Sequence, residues 1–579
     1  MPLSRRDPTV RGPVTHSIPT MTESTALRRA LAGALLAVTA CAAPAAWAAP
    51  QTSPQALRLT PIGSHVTGQF DQAAAEIVAH DPRSQRLFVV NADSGRIDVL
   101  DARVPTQPTK LFEIDLSDYG ATVNSVAVHR GLVAAAVEHP VKTSPGQAVF
   151  LDVDGQVLAA VPVGALPDMI TFTPDGRHAL VANEGEPSDD YSIDPEGSVS
   201  IIDLPARIRS LDASHVRTAD FRGFDKATLE PGIRITGPNA SVAQDLEPET
   251  IAVAGDSRTA WVALQEANAI AVLDIDAGRF TALRSAGAKD HLLPGNELDV
   301  SNDDDAIRIA NWPVYGLPMP DAIASYEVGG RSYLVTANEG DAREYEDEAT
   351  GFEYADVRRF RSLSEDVPPC DNARLRSFLA DNPLGITTVE QLRDNANLGR
   401  LNLVSTEGLS ADGSCHEALF AFGTRSFSIY DAKLDLVFDS GADFERITAD
   451  ADPANFNANN DDNDSFDARS DDKGPEPEGV AVAKLWGRHF AFIGLERVGG
   501  VMVYDVSNPH APRFVQYLNH RDFSADAESP QALDLAPEGL IVIEAARSPI
   551  PGVPLLVVAN EVSGTTTIYR IDRERRVGH

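Results

Sequence analysis

A short signal recurs along this chain: an acidic residue, often after proline, leads directly into an apolar run. The copies with proline are Pro167-Asp168, Pro248-Glu249, Pro320-Asp321, Pro477-Glu478 and Pro537-Glu538. Glu76 and Glu407 begin copies without proline, and Asn124 begins an uncharged variant. Eight copies of one signal indicate a repeat architecture, which constrains the fold more strongly than chain length does.

Each copy opens a unit of short strands separated by turns. In the first unit, apolar runs at 77–79, 87–90 and 97–100 alternate with turn residues, and the unit closes on Asp101. Short strands with period-2 alternation and Gly/Asp turns predict an all-β protein. Three visible strands and a less regular fourth match a β-propeller blade. Separate sandwiches are the alternative, but each unit is too small to bury both faces of its sheet.

Eight units predict a single propeller of eight blades over residues 57–571. Seven blades are the alternative, because the fifth unit has no clear third strand. We expect residues 57–61 to pair antiparallel with, or lie beside, residues 565–571. That pairing would close the ring and leave no open sheet edge.

Some segments do not fit the blade pattern. The largest is an insertion at about 341–404 with two helix-like pieces, 373–381 and 387–395, the second opening with Thr387 and Glu390 in a capping-box spacing. The segment 456–478 is an acidic loop that lacks the order of an EF-hand. A second acidic loop spans 296–305. Either loop could bind a cation or simply be solvated.

The net charge of −36 and a pI near 4.6 argue against nucleic acid and anionic membranes as partners, and favour cations. The alternative is that the acidity only keeps the protein soluble. Residues 1–48 combine Arg28-Arg29, an apolar run and Ala46-Trp47-Ala48, which is typical of a secretory signal peptide with a preceding tail. A lipoprotein anchor at Cys41 is the alternative.

The remaining boundaries are a linker at 49–56 and a tail at 572–579. No other stretch approaches the length of a membrane span, so we expect no transmembrane segment in the mature chain and a periplasmic or secreted location. Cleavage leaves Cys370 and Cys415, which we expect to form a disulfide in an oxidising compartment. Two free thiols are the alternative.

The recurring acids are candidate metal ligands. The innermost strand of a blade lines the central channel, so acids at the start of that strand would form a ring at one mouth, with Asn124 in an equivalent place. The ring positions are Glu76, Asp168, Glu249, Asp321, Glu407, Glu478 and Glu538. A second set follows the second strand, at Glu184, Glu339 and Glu561, and the acidic loop adds Asp461, Asp464 and Asp467.

So many carboxylates would raise one another's pKa unless cations neutralise them or the ring is wide and wet. Ca²⁺ takes six to eight oxygen ligands and is the cofactor we expect. The alternative is that each acid caps a turn. Arg343 and Arg358 are candidate anion-binding residues, with surface salt bridges as the alternative. No nucleophilic triad or zinc-protease motif is present, and the catalytic residues stay unknown.

Longer motifs carry a resemblance to a known family. They are 311–316 (NWPVYG), 320–326, 338–343, 463–467 with 471–479, and Gly494-Leu495-Glu496-Arg497. These resemble the choice-of-anchor I family, which includes mesenchyme-specific cell-surface glycoproteins linked to biomineralisation and bacterial proteins described as atypical alkaline phosphatases. The resemblance spans about 57–571 and implies an exported β-propeller.

The resemblance allows two classes of function. One is a metal-dependent phosphoester hydrolase, in which metal ions at the acidic mouth polarise the phosphoryl group of a phosphomonoester. The other is a non-enzymatic, Ca²⁺-binding module that contacts a cell surface or a mineral. A lactonase-type propeller hydrolase is a weaker third reading.

Overall fold

The computed structural model describes residues 55–575, and these form an all-β propeller. Seven of its sheets are four-stranded and antiparallel, and we number them blades 1 to 7 in chain order. The predicted signal peptide at 1–48, Cys41, most of the 49–56 linker and residues 576–579 lie outside the described residues. No helix within 55–575 is long and apolar enough to cross a membrane.

Blades 1 to 4 are built from consecutive strands, from the channel outward. Blade 1 comprises Val78–Asp81, Arg86–Asn91, Arg96–Asp101 and Thr109–Asp115; blade 2 comprises Thr122–His129, Leu132–Glu138, Pro145–Asp152 and Val157–Ala165. Blade 3 comprises Pro167–Phe172, His178–Asn183, Ser198–Asp203 and Val216–Asp220; blade 4 comprises Ile251–Val253, Thr259–Leu264, Ala269–Asp274 and Arg279–Ser285.

Blades 5 to 7 include strands that are distant in sequence. Blade 5 comprises Ile323–Val328, Arg331–Asn338, Ser426–Asp431 and Leu436–Asp439; blade 6 comprises Pro477–Leu485, Arg488–Leu495, Val501–Asp505 and Arg513–Leu518. Blade 7 comprises Pro537–Ile543, Leu555–Asn560, Thr565–Arg575 and Gln55–Val66.

The blades are held together by apolar layers between neighbouring sheets. Successive side chains of a strand face opposite sides of its sheet: Phe88 and Val90 pack towards blade 2, whereas Leu87 and Val89 pack towards blade 7. Each of the seven blade pairs has such a buried cluster, and the pair of blades 7 and 1 completes the circle. The ring therefore closes with seven blades.

The expected count of eight blades is corrected to seven, the alternative considered above. Residues 418–431 do not form a separate sixth unit. Phe420–Phe422 joins a sheet of the insertion, and Ser426–Asp431 pairs with Arg331–Asn338 as the third strand of blade 5. The third strand missing from the fifth unit is thus supplied after a long excursion of the chain, which local periodicity cannot reveal.

The expected ring closure is confirmed. Gln55–Val66 pairs antiparallel with Thr565–Arg575, with Leu59 opposite Ile571. Leu57 and Leu59 are buried against blade 6. The last strand continues through residue 575, so residues 572–575 belong to blade 7 rather than to a tail.

The insertion leaves blade 5 after Asn338 and returns at Ser426, a longer excursion than the 341–404 expected. Three of its strands, Val357–Arg359, Asn402–Val404 and Phe420–Phe422, form a five-stranded sheet with Lys289–Asp290 and Tyr315–Leu317 from the connection before blade 5. A hairpin of the insertion pairs Glu344–Asp347 with Phe352–Ala355. Trp312, from the same connection, shares a buried core with Phe360 and Leu398 of the insertion.

Helices are few and short. The α-helices are Val242–Asp245, Phe360–Asp366, Ala373–Ala380, Val389–Leu392 and Asp443–Ala451; the 3₁₀ helices are Ile208–Ser210, Ala213–His215, Lys226–Thr228, Leu398–Arg400, Pro453–Asn455 and Pro530–Ala532. The helix expected at 373–381 is confirmed. In the second expected piece, Thr388 rather than Thr387 caps the helix, accepting a hydrogen bond from the Gln391 amide.

The expected disulfide between Cys370 and Cys415 is present and closes a loop with a sequence separation of 45 residues. It ties the segment before Ala373–Ala380 to the segment before Phe420–Phe422. The Cys370 amide also donates to the His416 carbonyl, 2.8 Å away.

Replacing both cysteines by serine should lower the free energy of unfolding by about 4 kcal/mol, because a loop of this length would regain its chain entropy in the unfolded state. Denaturant unfolding of oxidised wild type and of the double variant measures this. Wild type treated with reductant is the control and should match the variant. Equal midpoints for all three would show that the disulfide contributes no stability.

Candidate functional site

The recurring signal coincides with a local break in the innermost strand of four blades. The register between the first and second strands shifts at Asn124 in blade 2, beyond Pro167 in blade 3, beyond Pro477 in blade 6 and beyond Pro537 in blade 7. Such a shift leaves the intervening residue outside the ladder and redirects its side chain. The recurring acid therefore sits where the strand does not fix it in the sheet.

The residue before the proline is strained in four blades. Leu166, Met319, Glu476 and Ala536 have positive φ angles of 43°, 42°, 52° and 58°. Left-handed backbone costs an L-residue roughly 1–2 kcal/mol. The same strain at the same phase of several blades shows that the chain turns sharply to present the Pro-acid pair to the channel.

Main-chain contacts between neighbouring innermost strands set a small ring radius. The Gly539 amide of blade 7 donates to the Glu76 carbonyl, 3.0 Å away, and the Thr250 hydroxyl donates to the Asp321 carbonyl. A Cβ on Gly479 would lie 1.9 Å from the main-chain carbonyl oxygen of Glu538. A Cβ on Gly539 would lie 2.2 Å from the main-chain carbonyl oxygen of Glu76. Glycine is required at both places because the strands approach so closely.

The innermost strands of all seven blades enclose one cavity of about 470 Å³. Its lining includes five of the recurring polar positions: Asn124, Asp168, Asp321, Glu478 and Glu538. Apolar side chains such as Ile77, Val126 and Leu540 line it too. The recurring acids thus meet at the axis, at the end of the channel where the innermost strands begin.

The ring carboxyls strongly perturb one another. Burial first, and then the neighbouring carboxylates, raise the pKa of Asp168 to about 7 and that of Glu76 to about 9. The same two causes raise the pKa of the other ring acids well above the usual range; these are Glu249, Asp321, Glu478 and Glu538. Without a counter-ion, burial and mutual repulsion both favour the protonated form of these carboxyls.

Three carboxylates converge on one point of the ring. Single oxygens of Asp321, Glu339 and Glu478 all lie within 4.8 Å of one another. Oxygens on opposite sides of a Ca²⁺ ion, each about 2.3–2.6 Å from it, are separated by similar distances. The three side chains can therefore hold one cation.

Several ring oxygens have no partner among residues 55–575. Glu249 Oε2, Glu478 Oε2 and Glu538 Oε2 are buried and make no hydrogen bond. A buried acceptor left unpaired costs about 1–3 kcal/mol. Glu339 differs, because its two oxygens accept from Lys473 and Gln265.

A neighbouring group of acids is already neutralised. Glu339, Glu476 and Glu496 also bring oxygens within 4.8 Å, but Arg469 and Arg497 donate to Glu476. Burial opposes the charge on Glu476, yet these arginines and Lys473 hold its pKa below the usual range. This group is an ion-pair network rather than a vacant set of ligands.

The second set of acids lies close to the ring, as expected. Burial and the charges of Asp168 and neighbouring acids raise the pKa of Glu184, and Glu561 acts on Glu76 and Glu538. Sequence reasoning missed two members, Glu266 and Glu496. Glu496 directly follows its strand Arg488–Leu495, as Glu184 follows Asn183, so the same phase would have found it. Glu266 lies one residue later in its blade, after Gln265, and that phase does not select it.

Glu407 is not part of the ring. It lies in the insertion, beside Arg234 and Asp356, because the unit it was assigned to is not a blade. Asp461 and Asp464 are exposed on the acidic loop, where Asp461 accepts a hydrogen bond from Asn459. Asp467 is buried elsewhere in that loop.

The two arginines are engaged in ion pairs, as the salt-bridge alternative predicts. Arg343 is buried and contacts Asp245 and Glu247 at 3.0 and 2.7 Å. Arg358 pairs with Asp366 at 2.7 Å. Both guanidinium groups thus form ion pairs, Arg343 in the interior and Arg358 at the surface, and anion binding by either stays a prediction.

Comparisons with known proteins identify a family and two relatives of this chain. The choice-of-anchor I domain matches residues 76–509. Gigasin-3a of Magallana gigas is 29% identical over 194 residues, which is 32% of this chain and 68% of that protein. The mesenchyme-specific cell surface glycoprotein of Strongylocentrotus purpuratus is 27% identical over 339 residues, 52% of this chain but only 39% of that protein.

Among solved structures, a chain of hydrazine synthase from Kuenenia stuttgartiensis superposes with a TM-score of 0.41 at 12% identity, covering 87% of this chain and 99% of that chain. The Cps50 (Swd1) β-propeller domain of Myceliophteria thermophila gives a TM-score of 0.36 at 8% identity, with the same coverage of each chain. Neither likeness supports an inference about function.

Substituting Gly539→Ala should destabilise the propeller by about 1–3 kcal/mol or more, because the new methyl group would collide with the Glu76 carbonyl and force the two strands apart. Gly223→Ala is the matched control, since a Cβ there meets no atom within 4 Å. Denaturant midpoints of both variants and wild type measure the effect. A Gly539→Ala midpoint equal to that of wild type would contradict the close approach of blades 7 and 1.

Proposed function

This chain belongs to the choice-of-anchor I family, and from that premise and the geometry of the channel mouth we propose that it is an exported propeller module that binds Ca²⁺. The ion would lie among Asp321, Glu339 and Glu478. The remaining ring acids would extend the negative field around it. The module would use this ion in contacts outside the cell.

One observation carries the proposal. Asp321 and Glu478 come from neighbouring blades, and their carboxylate oxygens lie within 4.8 Å of each other and of a Glu339 oxygen. Glu478 Oε2 is buried and has no hydrogen-bond partner in the described structure. Three carboxylates bring three negative charges, and Lys473, 2.7 Å from Glu339, returns one positive charge. A divalent cation would balance the remaining two.

The donor set favours Ca²⁺ over other metals. All three ligands are carboxylates, and the ring contains no histidine or cysteine, which Zn²⁺ and Cu²⁺ prefer. Ca²⁺ tolerates irregular oxygen cages and completes its six to eight ligands with water. Water positions on the channel side would also be open to an anionic group of a partner.

Export is supported by several independent features. Residues 1–48 are typical of a secretory signal, the disulfide suits an oxidising compartment, and one relative is named as a cell surface glycoprotein. Partners that would share a bound Ca²⁺ are anionic groups of a cell surface or a mineral.

The structure favours a binding module over the phosphoester hydrolase suggested by the family resemblance. A phosphoryl dianion needs cationic groups as well as a metal. Arg343 and Arg358 are paired, and Lys473, Arg469 and Arg497 are occupied by the acids of the mouth. Hydrolysis is therefore an outcome to be tested alongside binding.

After chelation, adding Ca²⁺ should raise the unfolding midpoint of wild type, since a ligand at one hundred times its Kd stabilises the folded state by about 2.7 kcal/mol. Glu478→Gln should lose the part of this response that the ion at the channel mouth supplies, because it removes one ligand. In chelator alone, the same variant should be as stable as wild type or more stable, because it relieves repulsion in the ring.

Glu407→Gln is the matched control: it makes the same change outside the ring and should respond to Ca²⁺ like wild type. A Glu478→Gln response equal to that of wild type would contradict this site. A generic phosphomonoester assayed in Ca²⁺ and in chelator separates the two functions. Turnover that needs Ca²⁺ and is lost in Glu478→Gln would establish the hydrolase instead.

A further inference from the structure

The two acidic loops at 296–305 and 456–472 meet in the folded protein, away from the channel ring acids. Glu445, on the helix Asp443–Ala451, joins them: its carboxylate accepts from the Asp299 amide and from the Asn457 side chain, each at 3.0 Å. Arg425 makes a second link, donating to the carbonyls of Asp299 and Ser470.

Two buried oxygens at this junction have no hydrogen-bond partner in the described structure. Asp467 is 2% exposed; one carboxylate oxygen accepts from the Ser470 hydroxyl, and Oδ2 accepts from nothing. Asn457 is fully buried; its amide nitrogen donates to Glu445 and Ser470, and Oδ1 accepts from nothing. Burying such acceptors unpaired costs about 1–3 kcal/mol each.

Charge is also unbalanced at the junction. The acids are Asp299, Asp304, Glu445 and Asp467; the cations are Arg425, paired with Glu445, and Arg308, paired with Asp304. Four negative and two positive charges leave a net charge of −2. Asp299 and Asp467 have no cationic partner, and each is almost entirely buried. The carboxylate oxygens of Asp299 accept from the backbone amides of Ser301 and Arg308.

The two unpaired acids repel each other across the junction. Burial raises the pKa of Asp467 to about 8, and among nearby charges Asp299 contributes most. Burial and Glu445 raise the pKa of Asp299 to about 7. A cation between the loops would remove this penalty and give the free oxygens a ligand.

We propose that the two loops enclose a second divalent-cation site, with Asp467, Asn457 and Asp299 as its protein ligands. Two carboxylates and an amide carbonyl form an all-oxygen set of the kind that Ca²⁺ takes. This site does not depend on an ion at the channel mouth. Its role is structural. The bound ion would fix the position of the segment from Asp467 to Glu478, which includes Arg469, Lys473 and Glu476.

The test counts bound metal. Wild type and variants are stripped of metal, dialysed to equilibrium against Ca²⁺, and their bound metal is measured. Asp467→Asn should hold one ion fewer than wild type. Asp464→Asn is the matched control, since it makes the same change on an exposed residue of the same loop, and its count should equal that of wild type.

The variants distinguish loss of the ion at the channel mouth from loss of the ion between the loops. Glu478→Gln should lose the mouth ion and keep the loop ion, and Asp467→Asn combined with Glu478→Gln should lose both. If the mouth binds nothing, wild type should hold the loop ion alone, and Asp467→Asn should still remove it. An Asp467→Asn count equal to that of wild type would overturn the proposal.

A luminescence measurement on Glu478→Gln covers the case in which Asp467→Asn does not fold. The Trp312 indole N–H donates to the Leu298 carbonyl, 3.1 Å away. Leu298 is the residue that precedes Asp299 in the chain. Tb³⁺ bound between the loops should therefore emit when tryptophan is excited, and Ca²⁺ should quench the emission by competition. Absence of tryptophan-sensitised emission from Glu478→Gln would overturn the proposal.

Discussion

Repulsion among like charges at the propeller axis is the constraint on which the rest of this structure depends. Seven blades around one axis place equivalent residues at the same radius. An acid at the same phase of six blades, Glu76, Asp168, Glu249, Asp321, Glu478 and Glu538, therefore becomes a ring of carboxylates. The close approach at Gly479 and Gly539 keeps that ring narrow, so water cannot screen the charges as it would on an open surface.

The fold does not relieve this repulsion but holds it in place. Left-handed residues such as Leu166 and Ala536 precede the Pro-acid pairs, and the apolar layers between blades supply the stability that offsets such strain. On one side of the mouth, Lys473, Arg469 and Arg497 neutralise Glu476 and Glu339. Glu478 Oε2 has no hydrogen-bond partner among the described residues. A strained, charged and under-neutralised site inside a well-packed scaffold is typical of a place that binds a ligand.

Much of this could be predicted from the sequence, because a propeller repeats local information. The short alternating strands predicted the all-β fold, and the spare N-terminal strand predicted the ring closure by Gln55–Val66. The acid-led signal predicted that Asp168 and Glu478 lie at the channel. The disulfide between Cys370 and Cys415 followed from export and from the number of cysteines. Of the missed acids, Glu496 lies at the phase that selected Glu184, whereas Glu266 lies one residue beyond it.

What could not be predicted depends on contacts between distant segments. The third strand of blade 5 is separated from the second by the whole insertion, so the units were counted as eight and Glu407 was assigned to the ring. From the sequence, Arg343 is a candidate anion-binding residue. Only the fold brings it into contact with Asp245 and Glu247. The junction of Asp299 with Asp467 joins loops more than one hundred and fifty residues apart; neither loop alone has the order of a calcium motif.

Anomalous diffraction from crystals grown or soaked with Ca²⁺ tests the central claim most directly, because it locates the ion rather than inferring it from stability. The account predicts a peak at the channel mouth, about 2.3–2.6 Å from carboxylate oxygens of Asp321, Glu339 and Glu478. Ca²⁺-saturated crystals with no peak there, and with the carboxyl oxygens of Asp321 and Glu478 sharing a proton at hydrogen-bond distance, would contradict it.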